Sequence, residues 1–248
     1  MTPINRRGLL KSTAAAGAGA AGAWGSGGGS AAAEESEREN PVRPKPLRVH
    51  VIAFDGVEEL DFIGPLEVFG AAAGMGHPVT AHLVTSGEPA RVTGRFGTEV
   101  VVGGDWDPSG ADVIVVPGGG FGRRDGAGIW AEIKKGVLTR ELRRAVRPSL
   151  TLLGVCTGVV VLQAAGVIGD RPCTTHHGAK QYLKDQGADV RDARVVDDGN
   201  LVCAGGVSSG IDGALWLLER EIGSRAATQV ESLMEFERRG SVLRTRRG

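Results

Sequence analysis

Cys156 stands in Gly154-Val155-Cys156-Thr157-Gly158, between an apolar run that begins near Ser149 and a second apolar stretch of helical length that reaches Gly166. A strand that turns sharply into a helix exposes its turn residue, and glycines two before and two after leave room for the crossing backbones. This is nucleophile-elbow spacing with cysteine in place of serine. At a helix N-terminus the unpaired N–H groups and the dipole favour thiolate, the reactive form. The elbow is therefore expected both to expose and to activate the sulfur. The plainer alternative is a buried, inert thiol, because free cysteine is among the most commonly buried residue types.

Three other sets of residues can meet this sulfur if strands alternate with helices, since ligands of open α/β sheets lie beyond the carboxyl ends of the strands. Asp61, with Glu58 and Glu59 beside it, follows the first strand; Gly118-Gly119-Gly120 follow Ala111–Val116; His176 and His177 follow Cys173-Thr174-Thr175. A carboxyl beside a thiolate can shuttle protons, and free N–H groups in a glycine run can stabilise developing negative charge. Each set also has a structural alternative: Asp61 as a helix cap, the glycines as a turn, the histidines as satisfied packing residues. No CxxC or HxxxH pair gives metal-ligand spacing, so neither a metal nor another cofactor is expected.

The elements that would position these groups follow from periodicity. Leu47–Phe54 is a first strand, and a helix with Pro65 in its first turn runs to about Gly74. Val79–Thr85 is a strand, Arg91–Thr93 and Glu99–Val102 a hairpin, and Ala111–Val116 a continuous apolar strand of the kind found at the centre of a parallel sheet. A charged helix spans roughly Ile129–Val146, and a short strand at Cys173 precedes a helix near Ala179–Asp185. Val190–Val196 and Leu201–Ala204 make a second hairpin, Ser208 caps a helix through Glu221, and Ala226–Glu237 is a final amphipathic helix with a basic tail behind it. The alternation predicts an α/β fold, a doubly wound, mostly parallel sheet sandwiched by helices.

The 29 basic and 29 acidic side chains of the 248 residues cancel, so no net field draws nucleic acid or an anionic membrane, and a small-molecule partner fits better. Aromatics at 4% leave little for base stacking. Residues 1–33 are a different kind of sequence: Arg6-Arg7, a mild Ala/Gly-rich run too short to span a bilayer stably, then Ala31-Ala32-Ala33. They read as a twin-arginine signal peptide cleaved before Glu34, placing the product in the periplasm or outside the cell with no lasting membrane anchor. Residues 34–46 form a polar linker and residues 47–248 the folded domain. In such an oxidising compartment Cys173 and Cys203 can pair and leave Cys156 as the odd thiol, or both can pack as small apolar side chains.

The segments LDFIGPLEVF, VIVVPGGGFG, GVCTGVVVLQAAGVIGDRPCTTHH and DGNLVCAGGVSSGIDGALWL occur in an order and spacing similar to those of the ThiJ/PfpI superfamily, over nearly all of Leu47–Glu237. The resemblance implies a flavodoxin-like, class I glutamine amidotransferase-like fold, a homodimer, and a branch of the superfamily that hydrates isonitriles. It implies Cys156 as nucleophile, Asp61 as the acid of an L-D-x-x-G-P motif, Thr157 as the polar residue after the nucleophile, His176 near the thiol, and Gly119 and Gly120 as backbone donors. Thr157 stands where the proteolytic members have histidine, so peptidase activity is not expected. His177 stands where the hydratases commonly have tryptophan. The expected chemistry is attack by Cys156 on an electrophilic carbon, with Asp61 supplying a proton and water releasing the product. Two other functions share the same thiol: glyoxalase- or deglycase-like turnover of reactive carbonyls, and ligand or redox sensing as in the sensing domain of AraC-type regulators.

Overall fold

Strand β1 (Leu47–Ile52) opens the domain with alternate faces both buried, and helix α1 (Glu59–Gly74) follows it after a short turn. A computed structural model describes residues 45–87 and 90–245, so the segment expected to be a twin-arginine leader and nearly all of the expected polar linker lie outside the described residues. Helix α1 begins well before the position expected from Pro65. Glu59 and Asp61 occupy its first turn, where acidic side chains suit the positive end of the dipole. Pro65 falls in the second turn, where its missing N–H leaves only the Asp61 carbonyl without a helical partner.

Next come β2 (Val79–Val84), the hairpin β3 (Ala90–Thr93) and β4 (Glu99–Val102), and the wholly buried β5 (Val113–Val116). The charged helix expected over Ile129–Val146 is two helices, α2 (Ile129–Lys135) and α3 (Val137–Ala145), parted by Gly136 at φ 71, a left-handed turn that glycine makes without steric cost. The elbow elements are β6 (Thr151–Val155) and α4 (Gly158–Ala164). The short β7 (Pro172–Cys173), a 3-10 turn at His177–Ala179, α5 (Lys180–Asp185) and β8 (Asp189–Val190) lead into the hairpin β9 (Val195–Asp197) and β10 (Leu201–Ala204). Helices α6 (Ser209–Glu221) and α7 (Ser224–Met234) and a strand β11 (Val242–Arg244) complete the chain. Ser208 occupies the N-cap position of α6, yet its side chain makes no capping bond and accepts from Arg194 Nη2 instead. Strand β11 lies in the segment expected to be only a basic tail; its three residues pair with β9 as a charged edge strand.

The main sheet has the order β11-β9-β10-β6-β5-β1-β2. β2, β1, β5, β6 and β10 run parallel, while β9 is antiparallel to β10. Helices flank it in two groups: α1 packs with α6 and α7, and α2 and α3 pack with α4. The chain crosses from β2 on one side of β1 to β5 on the other, and such a change of direction opens a crevice at the carboxyl ends of the strands. The core runs through this sheet, from Val49 and Val51 to Leu153, Val155 and Val202, all inaccessible to solvent.

Candidate active site

The register of the parallel strands pairs Val116 with Gly154 and Val155 with Ala204, so the residues that follow β5, β6 and β10 meet at one edge. Cys156 comes directly after β6, with φ 55, a left-handed conformation that costs a side-chain-bearing residue on the order of 1–3 kcal/mol. Its backbone N–H is shared between the carbonyls of Ala204 (3.0 Å) and Gly205 (2.8 Å), which fixes the strained turn. The flanking glycines are required by close approach. A Cβ on Gly158 would fall 2.0 Å from the Val116 carbonyl oxygen, and one on Gly154 would fall 2.8 Å from Leu162 Cδ1.

Cys156, Thr157, His176, Gly119 and Gly120 line one cleft of about 560 Å³. Asp61 does not. It is fully buried behind the sulfur, where Oδ2 accepts from Gly118 N–H at 3.0 Å, Oδ1 has no hydrogen-bond partner among the described residues, and the carboxyl interacts with the Cys156 thiol. The carboxyl thus bonds a neighbouring loop rather than the amides of its own helix. Burial pushes Asp61 up to about 7, against the Gly118 hydrogen bond that favours its ionised form.

The sulfur is not activated in the way the elbow alone suggests. Burial, and then repulsion from the Asp61 carboxylate, push the Cys156 thiol up to about 12. The backbone amides of Val207 and Thr157 act in the opposite direction and favour the thiolate. Helix α4 has only seven residues, and its dipole does not offset the desolvation of a side chain that is 5% exposed. The two groups form a coupled pair: with a proton on Asp61 the repulsion of the thiolate disappears.

Thr157 occupies the N-cap position of α4, and its Oγ1 accepts from Gly119 N–H at 3.0 Å. This is a correction to the expected donor pair, because the Gly119 amide is already engaged. The Gly120 N–H donates to no group among the described residues. His176 Nδ1 accepts from Gly178 N–H at 3.1 Å, so the neutral ring carries its proton on Nε2. Burial, then the adjacent His177 ring at 4.1 Å between centroids, lower the His176 pKa, and the imidazole is neutral near pH 7. The site therefore holds no thiolate–imidazolium pair.

The remaining walls were not singled out from the sequence. Glu58 is buried and paired with Arg95 Nη1 at 2.7 Å, an ion pair joining the start of α1 to the β3–β4 hairpin. Phe96, Phe121 and Val207 add apolar surface. Glu58 was visible only as a neighbour of Asp61. Phe121 and Val207 lie inside the segments VIVVPGGGFG and DGNLVCAGGVSSGIDGALWL that carry the resemblance but had no role assigned, while Arg95 and Phe96 sit in a turn with no motif. All three cysteines are free, so the bridge considered between Cys173 and Cys203 is not formed. Among the described residues no three His, Cys, Asp or Glu side chains are grouped to hold a metal, and no helix is long and apolar enough to cross a membrane.

A mostly parallel α/β sheet carrying a cysteine at a strand-to-helix elbow defines the class I glutamine amidotransferase-like fold. Residues 47–220 match the DJ-1/PfpI family, and the chain belongs to that family. It is 31% identical over 191 residues to an isonitrile hydratase of Pseudomonas putida, covering 77% of this chain and 78% of that protein. It is 30% identical over 159 residues to a deglycase of Thermococcus kodakarensis, covering 63% of this chain and 88% of that protein. Among solved structures, Drosophila melanogaster DJ-1beta superposes with a TM-score of 0.68 at 22% identity, covering 78% of this chain and all of that one.

Proposed function

We propose that the protein is a cysteine-dependent enzyme that hydrates a small electrophile, an isonitrile in the first reading, and works as a homodimer. The observation that carries the choice is the position of Asp61, buried at the sulfur rather than out in the cleft. In an isonitrile the carbon attacked by sulfur is also the carbon that receives the proton, so an acid held at the sulfur is well placed. A carbonyl needs its donor at the oxygen, farther from the thiol, and one of the two expected donors, Gly119 N–H, is engaged by Thr157.

In the proposed reaction the S–C bond forms at the terminal carbon while Asp61 gives its proton to that carbon and takes up the proton that the thiol sheds, leaving a thioimidate on Cys156 and Asp61 protonated again. Water then adds to the C=N bond. Its hydroxyl goes to carbon and one of its protons to nitrogen, while the other passes by way of Asp61 to the sulfur. Cleavage of C–S releases an N-substituted formamide and frees Cys156 for another turnover. His176, neutral and protonated on Nε2, donates a hydrogen bond within the cleft without adding charge.

The Gly120 N–H, which has no partner among the described residues, supports the second reading, reactive-carbonyl turnover, since it supplies one donor for a carbonyl oxygen. Incubation with a panel of isonitriles and a panel of α-oxoaldehydes, with products identified by mass and fragmentation, separates the two. Formamides support the first reading. Hydroxy acids with no formamide establish the second, and no product from either panel leaves a sensing role.

A further inference from the structure

We propose that Arg194 and Asp212 are positioning residues for Cys156: their ion pair clamps the turn at residues 205–208 so that the Val207 amide stays on the sulfur. The inference rests on Cys156 being the reactive thiol, but not on which electrophile it attacks.

Val207 has φ 36, a conformation that a β-branched residue adopts only under constraint. It borders Cys156 in the wall of the cleft, and its amide is one of the two that favour the thiolate. The neighbours of Val207 are tied to the same centre. Gly205 gives its carbonyl to the Cys156 N–H at 2.8 Å, and Gly206 lies so close to His176 that a Cβ there would fall 2.7 Å from the ring. One short turn therefore acts on the backbone of the nucleophile, its sulfur and the cleft histidine.

Arg194 holds this turn from both ends. Its carbonyl accepts from Gly205 N–H at 2.8 Å, ahead of Val207. Its guanidinium lies on Asp212 Oδ2, at 2.9 Å from Nε and 2.7 Å from Nη2, and also donates to Ser208 Oγ at 3.2 Å, behind Val207. Asp212 is 3% exposed, stands in the first turn of α6, and accepts from Arg239 N–H at 2.8 Å through its other oxygen. A buried carboxylate satisfied on both oxygens is a rigid anchor, and the arginine fork transfers that rigidity to the strained turn. Without the clamp, Val207 relaxes toward negative φ and its N–H leaves the sulfur.

The test reads the thiol directly. In Arg194→Met the second-order rate of Cys156 alkylation by iodoacetamide, mapped by peptide, falls about tenfold at pH 8 and its pH profile moves to higher pH, the effect expected for losing one hydrogen bond to a charged atom. Glycine holds φ 36 without strain, so in a Val207→Gly background the same substitution slows alkylation about twofold or less. Should Arg194→Met be too unstable to purify, Asp212→Asn, which keeps an acceptor for Arg239, must show the same displacement and the same relief by Val207→Gly. A wild-type pH profile with only a lower melting temperature makes the pair structural and overturns the proposal. Equal losses with and without the Val207→Gly substitution overturn it as well. Failure of Cys156 to alkylate in the unmodified protein would instead remove the nucleophile on which the proposed function depends.

Discussion

Asp61→Asn separates proton supply from thiol ionisation and should move them in opposite directions. Asparagine has nearly the shape of the protonated acid, and its amide can donate to sulfur, yet it cannot release a proton. Above pH 7 the wild-type carboxyl is ionised and raises the thiol pKa, while the Asn variant has no such charge. A drop of one step in the thiol pKa increases the thiolate fraction about tenfold, so iodoacetamide should label Cys156 about tenfold faster at pH 8 in the variant than in the wild type. Turnover should fall about a hundredfold or more, because the acid is gone. Stability adds a third measurement. A carboxyl held at about 7 in the folded protein and near 3.8 when unfolded favours the fold fully below pH 4 and loses that advantage as pH rises toward 7, on the order of 4 kcal/mol in all. Urea melts should therefore show wild type losing stability relative to Asp61→Asn between pH 5 and pH 8. Slower labelling in the variant, or unchanged turnover, would refute the coupling of Asp61 to the sulfur.

Other expectations follow from the same geometry. Under limiting iodoacetamide Cys156 should be modified before Cys173 and Cys203, because only it borders the cleft; peptide mapping decides this, and labelling should rise steeply above pH 8 as expected of a thiol pushed up by burial. Arg95→Ala removes a cation that lowers the Asp61 pKa, so the pH at which that carboxyl titrates should rise, as read by the pH dependence of turnover. Gly158→Ala forces a Cβ against the Val116 carbonyl and should cost about 3 kcal/mol in urea denaturation, with loss of Cys156 labelling selectivity. Replacing Arg6 and Arg7 by Lys should leave an uncleaved precursor in the cytoplasm, seen by fractionation; undiminished export would count against the twin-arginine leader.

The elbow was legible because its constraint is written in residue type. Gly154 and Gly158 are needed where backbone and side chains come within 2.0 to 2.8 Å of a Cβ, and no larger residue meets that need. The central place of β5 was legible for a similar reason, since Val113–Val116 is buried along its whole length and shows no polar face. Backbone amides leave no such trace. Nothing in a valine announces that its amide favours a thiolate, and nothing in Gly119 tells that Thr157 has taken its proton donor. The start of α1 was misplaced because proline favours first turns, whereas here the acids at 59 and 61 set the helix start and Pro65 removes a single hydrogen bond. Strand β11 was missed because three residues between arginines carry too little periodicity to register.

Burial also reverses the simple account of the nucleophile. A helix N-terminus alone would favour thiolate, but the sulfur is shielded from water and faces a carboxyl, and both groups are driven toward their neutral, protonated forms. Near pH 7 the carboxyl sits at its midpoint while the thiol holds its proton, so Asp61 is the member of the pair whose charge changes with small changes in surroundings. A substrate of the proposed kind, seated against the exposed edge of the sulfur, excludes water from that edge and strengthens the preference for neutral Asp61. In that state the repulsion of the thiolate is absent and the proton that the attacked carbon requires is in place. In the proposed reaction the substrate thereby favours the protonation state that hydration needs, and the carboxyl rather than the helix dipole sets when the sulfur attacks.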